Sequence, residues 1–298
     1  MLTTGVDTPD LTRRRLRHPE AVTAAWRARR PGDLPADGRL MILAADHPAR
    51  GALAVRGDAT AMGSRAQLLE RLAQALSRPG VDGVLGTADI LEDLLLAGLL
   101  EHKIVFGSMN RGGLQGSEFE FDDRWTGYDI PTIAAHGLDG GKMLTRICME
   151  DPSTADILEA SGRAVTELAG RRLIAMIEPF LSRRLSGHRV ENLLDPESVI
   201  KSVTIASGLG ATSAYTWLKL PVTPDMHRVL DATTLPTLLL GGDPTGDPDE
   251  LYRQWADALR HPTAVGLVVG RALLYPADGD TAGAVDTAVS IVHGGTSE

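Results

Sequence analysis

The sequence has little of what secreted, membrane-spanning or nucleic-acid-binding proteins need. Cys148 is the only cysteine among 298 residues, which excludes an internal disulfide framework and a cysteine-based metal cluster. No apolar run approaches the ~20 residues of a membrane-spanning helix, and residues 1–10 lack the apolar core of a secretory signal. A net charge of −9 without a basic face argues against a nucleic-acid partner. We therefore expect a cytoplasmic protein without nucleic-acid or membrane partners.

From residue 40 onwards, short apolar runs alternate with amphipathic helices, the pattern of a parallel sheet built from βαβ units. Eight strands are predicted, at 40–45, 81–86, 104–106, 142–148, 173–177, 213–222, 237–240 and 265–269. About eight such units in roughly 250 residues predict an α/β fold, a closed (β/α)8 TIM barrel. A doubly wound open sheet is the alternative, but Ala45-Asp46-His47-Pro48 after the first strand is not its glycine-rich fingerprint.

The sequence predicts a single domain with three parts. Residues 1–39 form an N-terminal extension with a helix that begins near Pro19 and ends before Pro31-Gly32, and we expect it to cap one end of the main domain. Residues 40–293 form the barrel, which is the catalytic domain, and residues 294–298 form a frayed tail. Because acidic soluble barrels are often oligomers, we also expect a homo-oligomer.

One lysine lies near the end of the predicted strand 213–222. Side chains alternate along a strand, so Tyr215, Trp217 and Lys219 share one face. Desolvation beside aromatic rings disfavours the ammonium form, and the neutral amine is a nucleophile toward carbonyls. The alternative is a lysine that extends into solvent from the strand end.

Further charged side chains lie where strands pass into the following loops, which is the functional end of this barrel type. Asp46 follows the first strand, Lys142 and Arg146 lie on the fourth, and Glu178 ends the fifth. If these faces point inward, two lysines and two carboxylates meet around one axis. Purely structural ion pairs are the alternative, since buried charges need partners. Even then, a neighbouring cation would lower the pKa of Lys219.

The last two predicted strands end in residues that suit a phosphate group. Gly241 and Gly242 follow the seventh strand, and Gly270 and Arg271 follow the eighth. Barrels commonly bind phosphate there with backbone N–H groups and a short helix, and an arginine can add a charged fork. We therefore predict that these four residues hold a phosphorylated small molecule.

Five short motifs, in this order, resemble those of the class I, Schiff-base aldolases. They are Ala45-Asp46-His47-Pro48-Ala49-Arg50-Gly51, Gly141-Lys142-Met143-Leu144, Ile177-Glu178-Pro179, Leu218-Lys219-Leu220-Pro221-Val222 and Val269-Gly270-Arg271-Ala272. The sequence is most similar to the tagatose-bisphosphate and deoxyribose-phosphate aldolase-like barrels. Within them, the loop 112–128 resembles a branch associated with myo-inositol breakdown.

The resemblance implies a mechanism and a substrate. Lys219 would form the imine, Glu178 would move protons, and Lys142 and Asp46 would lie beside the imine, without a metal or cofactor. The implied reaction is the reversible cleavage of 5-dehydro-2-deoxygluconate 6-phosphate to dihydroxyacetone phosphate and malonate semialdehyde. Arg146 or Arg124 would meet the substrate carboxylate.

Three alternatives remain open from the sequence. Another ketose phosphate can be the substrate, such as tagatose or fructose bisphosphate or sulfofructose phosphate. A metal-dependent lyase would use Asp46, His47 and His136, although these show no ligand spacing. A non-catalytic barrel would bind a phosphorylated metabolite and show no turnover.

Overall fold

A closed parallel barrel forms the centre of the protein. The computed structural model describes residues 6–186, 189–242 and 246–294. The strands are β1 (Leu40–Ala44), β2 (Gly83–Gly86), β3 (Ile104–Ser108), β4 (Gly140–Ile147), β5 (Ile174–Arg184), β6 (Val190–Asn192), β7 (Thr216–Pro221), β8 (Thr237–Leu240) and β9 (Ala264–Val269). All except β6 pair in parallel, in the circular order β1-β2-β3-β4-β5-β7-β8-β9, and β9 returns to β1. The predicted (β/α)8 barrel is confirmed.

Helices surround the strands and begin at the signals that the sequence carries. They are α1 (Thr8–Arg17), α2 (Glu20–Ala28), α3 (Arg65–Leu76), α4 (Ala88–Leu96), α5 (Ile130–Ala135), α6 (Ser153–Gly170), α7 (Pro196–Ser207), α8 (Met226–Leu230), α9 (Pro248–Ala258), α10 (Arg271–Leu274) and α11 (Thr281–His293). Asp195 caps α7 by accepting a hydrogen bond from the backbone N–H of Ser198, and Pro196 occupies its first turn. No helix of the described ranges is long and apolar enough to cross a membrane.

Alternation along the strands sorts side chains into two apolar layers. Leu40 and Ile42 point into the barrel, where they pack with Phe106 and Trp217, whereas Met41 packs between strands and helices. Because Lys219 lies two residues after Trp217 on the same strand, it shares this inward face. Packing inside the barrel therefore directs the lysine toward the axis.

Helix α2 packs at the end of the barrel where the strands begin, whereas Arg15 of α1 pairs with Asp93 on α4. Trp26 on α2 stacks on His136 at a ring distance of 5.0 Å, and Arg29 donates a 2.9 Å hydrogen bond to the carbonyl of Lys103, just before β3. Helix α1 was not predicted, although Asp7 caps it by accepting from the N–H of Asp10. Of the predicted tail 294–298, only Gly294 belongs to the described residues.

Strand β5 is longer than predicted and forms a hairpin with β6. The sequence prediction ended this strand at Ile177, before Pro179, which lacks the N–H that a central strand needs. In the structure β5 pairs with β7 only from Ala175 to Ile177, so Pro179 lies beyond that pairing, where proline is tolerated. The strand continues to Arg184 and pairs in antiparallel fashion with β6. The hairpin adds Val190 and Asn192 to the wall of the central cavity.

Candidate active site

The four side chains predicted to be catalytic meet inside the barrel mouth. Lys219 on β7 donates a 2.6 Å hydrogen bond from Nζ to Glu178 Oε1 on β5. Lys142 on β4 contacts the other oxygen, Glu178 Oε2, and its Nζ also lies 3.2 Å from Asp46 Oδ2 after β1. All four side chains are buried. Glu178 therefore bridges the two lysines, one on each carboxylate oxygen.

A fifth charge, which the sequence analysis did not identify, completes a row. Arg111 follows β3, and its Nη2 lies 2.8 Å from Asp46 Oδ2. Ser108, the last residue of β3, also donates a 3.0 Å hydrogen bond to that oxygen. Arg111, Asp46, Lys142, Glu178 and Lys219 thus form a row of alternating charges, with a cation at each end.

Burial and the neighbouring charges in this row set the protonation states of its two carboxylates and of Lys142. Burial alone would raise the pKa of Glu178, but the charges of Lys142 and Lys219 lower it to about 2. Burial would likewise raise the pKa of Asp46, but the charges of Arg111 and Lys142 hold that pKa well below its usual value. Burial, with the charge of Arg111, lowers the pKa of Lys142 to about 8. Both carboxylates are ionised at neutral pH, and Lys142 is the lysine that burial disposes to lose a proton.

The residues of the metal-dependent alternative do not come together. His47 Nδ1 lies 4.0 Å from Asp46 Oδ1, and burial lowers the pKa of His47 to about 3, so its ring is neutral. His136 packs on Trp26 at the opposite end of the barrel. Within the described part of the chain, no group of three or more His, Cys, Asp or Glu side chains is arranged to hold a metal ion.

The charge row opens into a cavity of about 380 Å³, and the predicted phosphate-binding residues line one side of it. Gly241 and Gly242 follow β8, and Gly270 and Arg271 follow β9. Gly242 has a φ of +62°, which favours glycine. A Cβ on Gly270 would lie 2.3 Å from the carbonyl oxygen of Ala44, so the backbone approaches β1 too closely for any other residue. Both loops expose a side-chain-poor backbone to the cavity.

Two arginines on the other side of the cavity are held by carboxylates. Arg146 pairs with Glu120, and Arg50 Nη1 lies 3.1 Å from Asp123 Oδ2. Arg124, the other arginine expected to meet a substrate carboxylate, is 68% exposed, pairs with Asp122 and does not line the cavity. Both arginines that were expected to bind a substrate carboxylate are therefore already paired with carboxylates of the protein.

The cavity is cationic although the protein is acidic. Among the described residues, six cationic side chains and three carboxylates line it, against a net charge of −9 for the whole chain. The cations are Arg50, Arg111, Lys142, Arg146, Lys219 and Arg271, and the carboxylates are Asp46, Glu120 and Glu178. A concave site of this charge suits an anionic small molecule.

The loop 109–128 is built onto the mouth of the barrel by polar contacts that sequence periodicity does not reveal. Asn110 accepts a 2.8 Å hydrogen bond from the N–H of Leu144 and donates one of 2.6 Å to its carbonyl. Arg50 donates a 2.7 Å bond to the carbonyl of Gly113. The signal that could have identified these residues is their position directly after β3, at the functional end of the barrel.

Comparison with known proteins assigns the family. A family model described as Cgl0159-like matches residues 38–289. The chain belongs to the Cgl0159-like family. A crystal structure of Cgl0159 from Corynebacterium glutamicum (Brevibacterium flavum) is 54% identical, covers 96% of each chain and superimposes with a TM-score of 0.93.

More distant solved structures share the barrel of this Cgl0159-like protein. A Schiff-base-forming fructose-1,6-bisphosphate aldolase is 20% identical, covers 91% of this chain and 100% of its own, and has a TM-score of 0.66. An archaeal fructose-1,6-bisphosphate aldolase, with its catalytic lysine bound to the carbinolamine intermediate, is 19% identical over 91% and 99%, also at 0.66. At this identity the similarity shows the fold alone. No curated protein sequence matches the chain.

Proposed function

We propose that this Cgl0159-like protein is a class I aldolase that cleaves a phosphorylated keto compound through an imine on Lys219. The observation that carries the proposal is the buried Lys219–Glu178–Lys142 arrangement, in which one carboxylate bridges two amines beside a cationic cavity. An amine nucleophile needs an adjacent group to take its proton, and Glu178 is within hydrogen-bond distance.

The first step converts Lys219 into a nucleophile. Glu178 accepts a proton from Lys219 on Oε1 and, after its carboxyl group rotates, gives that same proton to the neutral amine of Lys142, whose lowered pKa makes that amine available. The neutral Lys219 adds to the substrate ketone, and loss of water, with one proton returned by Lys142 through Glu178, gives a protonated imine. No net proton leaves the site during the transfer between the two lysines.

The second step breaks a carbon–carbon bond. The bond between the α and β carbons releases its electron pair into the protonated imine, which becomes an enamine. The β-hydroxyl loses its proton to a base as the aldehyde forms, and Glu178, held ionised in the row, is positioned for that role. Reprotonation of the enamine and addition of water release the ketone and regenerate Lys219. Each such proton transfer contributes ~10²–10⁴-fold.

Glycine-lined loops beside Lys219 support a phosphate on the ketone fragment. Strands β7 and β8 are neighbours, so Gly242 lies on the side of the cavity next to Lys219, and Gly270 and Arg271 follow on β9. A phosphate bound there places an adjacent carbonyl toward the amine. This arrangement favours release of dihydroxyacetone phosphate.

The distant barrels support the same chemistry by analogy. One of them is a Schiff-base-forming aldolase, and in another the catalytic lysine is covalently bound to a carbinolamine intermediate of the substrate. As substrate we propose 5-dehydro-2-deoxygluconate 6-phosphate, which yields dihydroxyacetone phosphate and malonate semialdehyde. Its negative charge at both ends suits the cationic cavity.

A cleavage panel tests the proposal. The protein is incubated with 5-dehydro-2-deoxygluconate 6-phosphate, fructose and tagatose bisphosphates and sulfofructose phosphate, and dihydroxyacetone phosphate is detected by a coupled reduction. We expect release from the first substrate at the highest kcat/KM. Lys219→Ala abolishes release, whereas Lys201→Ala, an exposed lysine on α7, leaves it unchanged. No release from any substrate, or release that persists in Lys219→Ala, contradicts the proposal.

A further inference from the structure

We propose, on the basis of the function above, that Arg111 binds a second anionic group of the substrate. The substrate would then carry negative charge at both ends, with its phosphate on the glycine loops and its second anion on Arg111. Neither the sequence motifs nor the comparisons assign a role to this residue.

Topology places Arg111 opposite the phosphate side. In the circular order of the eight barrel strands, β3 lies four positions from β8, which is half the circumference. Arg111 follows β3, whereas Gly242 follows β8, and both line the same cavity. A substrate that spans the mouth past Lys219 therefore meets the glycine loops with one end and Arg111 with the other.

Arg111 has hydrogen-bonding capacity that the protein does not use. Its side chain is only 6% exposed, yet neither Nε nor Nη2 makes a hydrogen bond within the described part of the chain. Nη2 is close enough to Asp46 for an ion pair but lacks hydrogen-bond geometry. Nε and Nη2 form the edge of the guanidinium that binds carboxylate or phosphate with two parallel bonds. A buried donor without a partner is costly, and a ligand oxygen would satisfy it.

The neighbouring arginines differ from Arg111 in their terminal nitrogens, although Arg146 Nε, like Arg111 Nε, has no hydrogen-bond partner among the described residues. Arg146 donates to Glu120 through both Nη1 and Nη2, to the carboxylate and the carbonyl. Arg50 donates to Asp123 and to Gly113. These two guanidinium groups hold the loop 109–128 in place. Arg111 instead ends the charge row, where three cations face two carboxylates, so the buried row carries one surplus positive charge for an anion to offset.

The position of Arg111 is fixed before any ligand arrives. The N–H of Met109 donates to the carbonyl of Lys142 at 2.9 Å, and Asn110 makes both of its hydrogen bonds to Leu144. The two residues before Arg111 are thus attached to β4, beside Lys142. A preorganised donor of this kind gives specificity at low entropic cost.

A matched pair of carbonyl-free ligands tests the inference by titration calorimetry. 6-Phosphogluconate and sorbitol 6-phosphate have the same phosphorylated chain and differ in a terminal carboxylate against a terminal hydroxymethyl group. We expect the wild-type protein to bind 6-phosphogluconate at least 10-fold more tightly. Arg111→Gln removes this preference and keeps the affinity for sorbitol 6-phosphate, and Arg124→Gln, the exposed arginine of the same loop, changes neither.

Equal affinity of the wild type for the two ligands, or a preference that survives Arg111→Gln, overturns the inference. If Arg111→Gln does not fold, Arg111→Lys keeps the charge beside Asp46 and loses the fork, and we expect it to reduce the preference. Mannitol 1,6-bisphosphate carries a second phosphate where 6-phosphogluconate carries a carboxylate. Whichever of these two ligands binds more tightly identifies the group that Arg111 prefers. Neither sugar acid nor alditol can form an imine, so failure here is separate from failure of the cleavage panel.

Discussion

At the scale of single residues, the central feature is a carboxylate shared by two amines. Glu178 contacts Lys219 with one oxygen and Lys142 with the other, and burial lowers the pKa of Lys142 to about 8. This gives the two lysines different roles. Lys142 is the amine that is neutral in part of the population near physiological pH. Lys219 becomes neutral when its proton passes through Glu178 to Lys142.

Imine formation should therefore depend on pH. The lysine pair must lose one proton before Lys219 can attack, so the rate rises with pH through a midpoint near 8, the pKa of Lys142. Single-turnover trapping at pH 6 to 10 measures this rate. In Lys142→Met the midpoint near 8 disappears. A flat profile in the wild type, or an unchanged midpoint in the variant, contradicts the proton relay.

Removing the charge of Glu178 tests its role as base. Glu178→Gln keeps the shape of the side chain but cannot accept a proton, so we expect kcat to fall by about 10²–10⁴-fold. Glu191→Gln, which alters an exposed carboxylate paired with Arg183 on the hairpin, serves as the control and should retain activity. A loss of less than about 10-fold in Glu178→Gln would assign the proton transfer to another group.

Sequence reasoning identified part of this site and missed the rest for a physical reason. Strand alternation shows which side chains share a face, and with the barrel rule it brought Lys142, Glu178 and Lys219 to one axis. Arg111 lies in an irregular loop, where no periodicity indicates direction. Lys219 shares the inward face of Trp217, as strand alternation predicted, and its amine is paired with Glu178.

At the scale of elements, the loop 109–128 stays attached to the backbone of β4 after β3 has ended. β3 pairs with β4 only as far as Ser108 and Lys142. Two residues later the side chain of Asn110 takes over, since it bonds both backbone groups of Leu144. An amide side chain thereby replaces a strand at the edge of β4 and fixes the loop that carries Arg111.

Asn110→Ala should loosen this loop. It leaves the N–H and carbonyl of Leu144 without their partners, at about 1–3 kcal/mol for each buried group. We expect a lower free energy of unfolding in urea and a higher KM. Asn192→Ala on the hairpin breaks one bond, to Ser182, and serves as the comparison for stability only, because Asn192 lines the cavity. Wild-type stability in Asn110→Ala would show that the loop is held by other contacts.

A methyl group at Gly270 should disturb the phosphate side. It would meet the carbonyl oxygen of Ala44 at 2.3 Å and His47 Cε1 at 2.9 Å, and the first neighbour is backbone that cannot rotate away. We expect Gly270→Ala to weaken binding of inorganic phosphate, measured by calorimetry. Gly170→Ala at the end of α6 has open space around it and should bind as the wild type does. Equal phosphate affinity in both variants contradicts the proposed phosphate site.

The elements themselves were largely predictable. Eight short apolar runs and the capping residues of α7 and α9 are strong local signals, and the barrel followed from their number. The β5–β6 hairpin was not predicted. Pro179 is tolerated within β5 because the pairing with β7 ends at Ile177, and the local sequence does not show where that pairing ends. Helix α1 is polar over most of its surface and gave no apolar period.

At the scale of the whole molecule, charged side chains differ between the two ends of the barrel. Cations predominate at the mouth, whereas at the opposite end, where the strands begin, ionisable side chains join segments that are distant in the sequence. There His293 of α11 bonds Asp37 of the N-terminal extension at 2.7 Å and Asp82 before β2 at 3.1 Å. A cytoplasmic location and a homo-oligomer stay predictions from the sequence.

The His293 contacts should make stability depend on pH. Burial lowers the pKa of His293, but the hydrogen bonds and charges of Asp37 and Asp82 outweigh it and raise the pKa above the ordinary 6.5. The stabilisation is complete below pH 6.5 and is lost as pH rises through the raised pKa. Urea unfolding at several pH values should show this loss in the wild type and in His18→Gln, an exposed control, but not in His293→Gln. An unchanged pH dependence in His293→Gln contradicts the assignment.

The most direct measurement is the site of covalent attachment. The protein is incubated with dihydroxyacetone phosphate, reduced with borohydride and mapped by mass spectrometry. The chain has only four lysines, Lys103, Lys142, Lys201 and Lys219, so the mapping is unambiguous. The imine mechanism predicts one adduct, on Lys219, which is absent from Lys219→Ala and present in Lys201→Ala. An adduct on another lysine, or none, would contradict it.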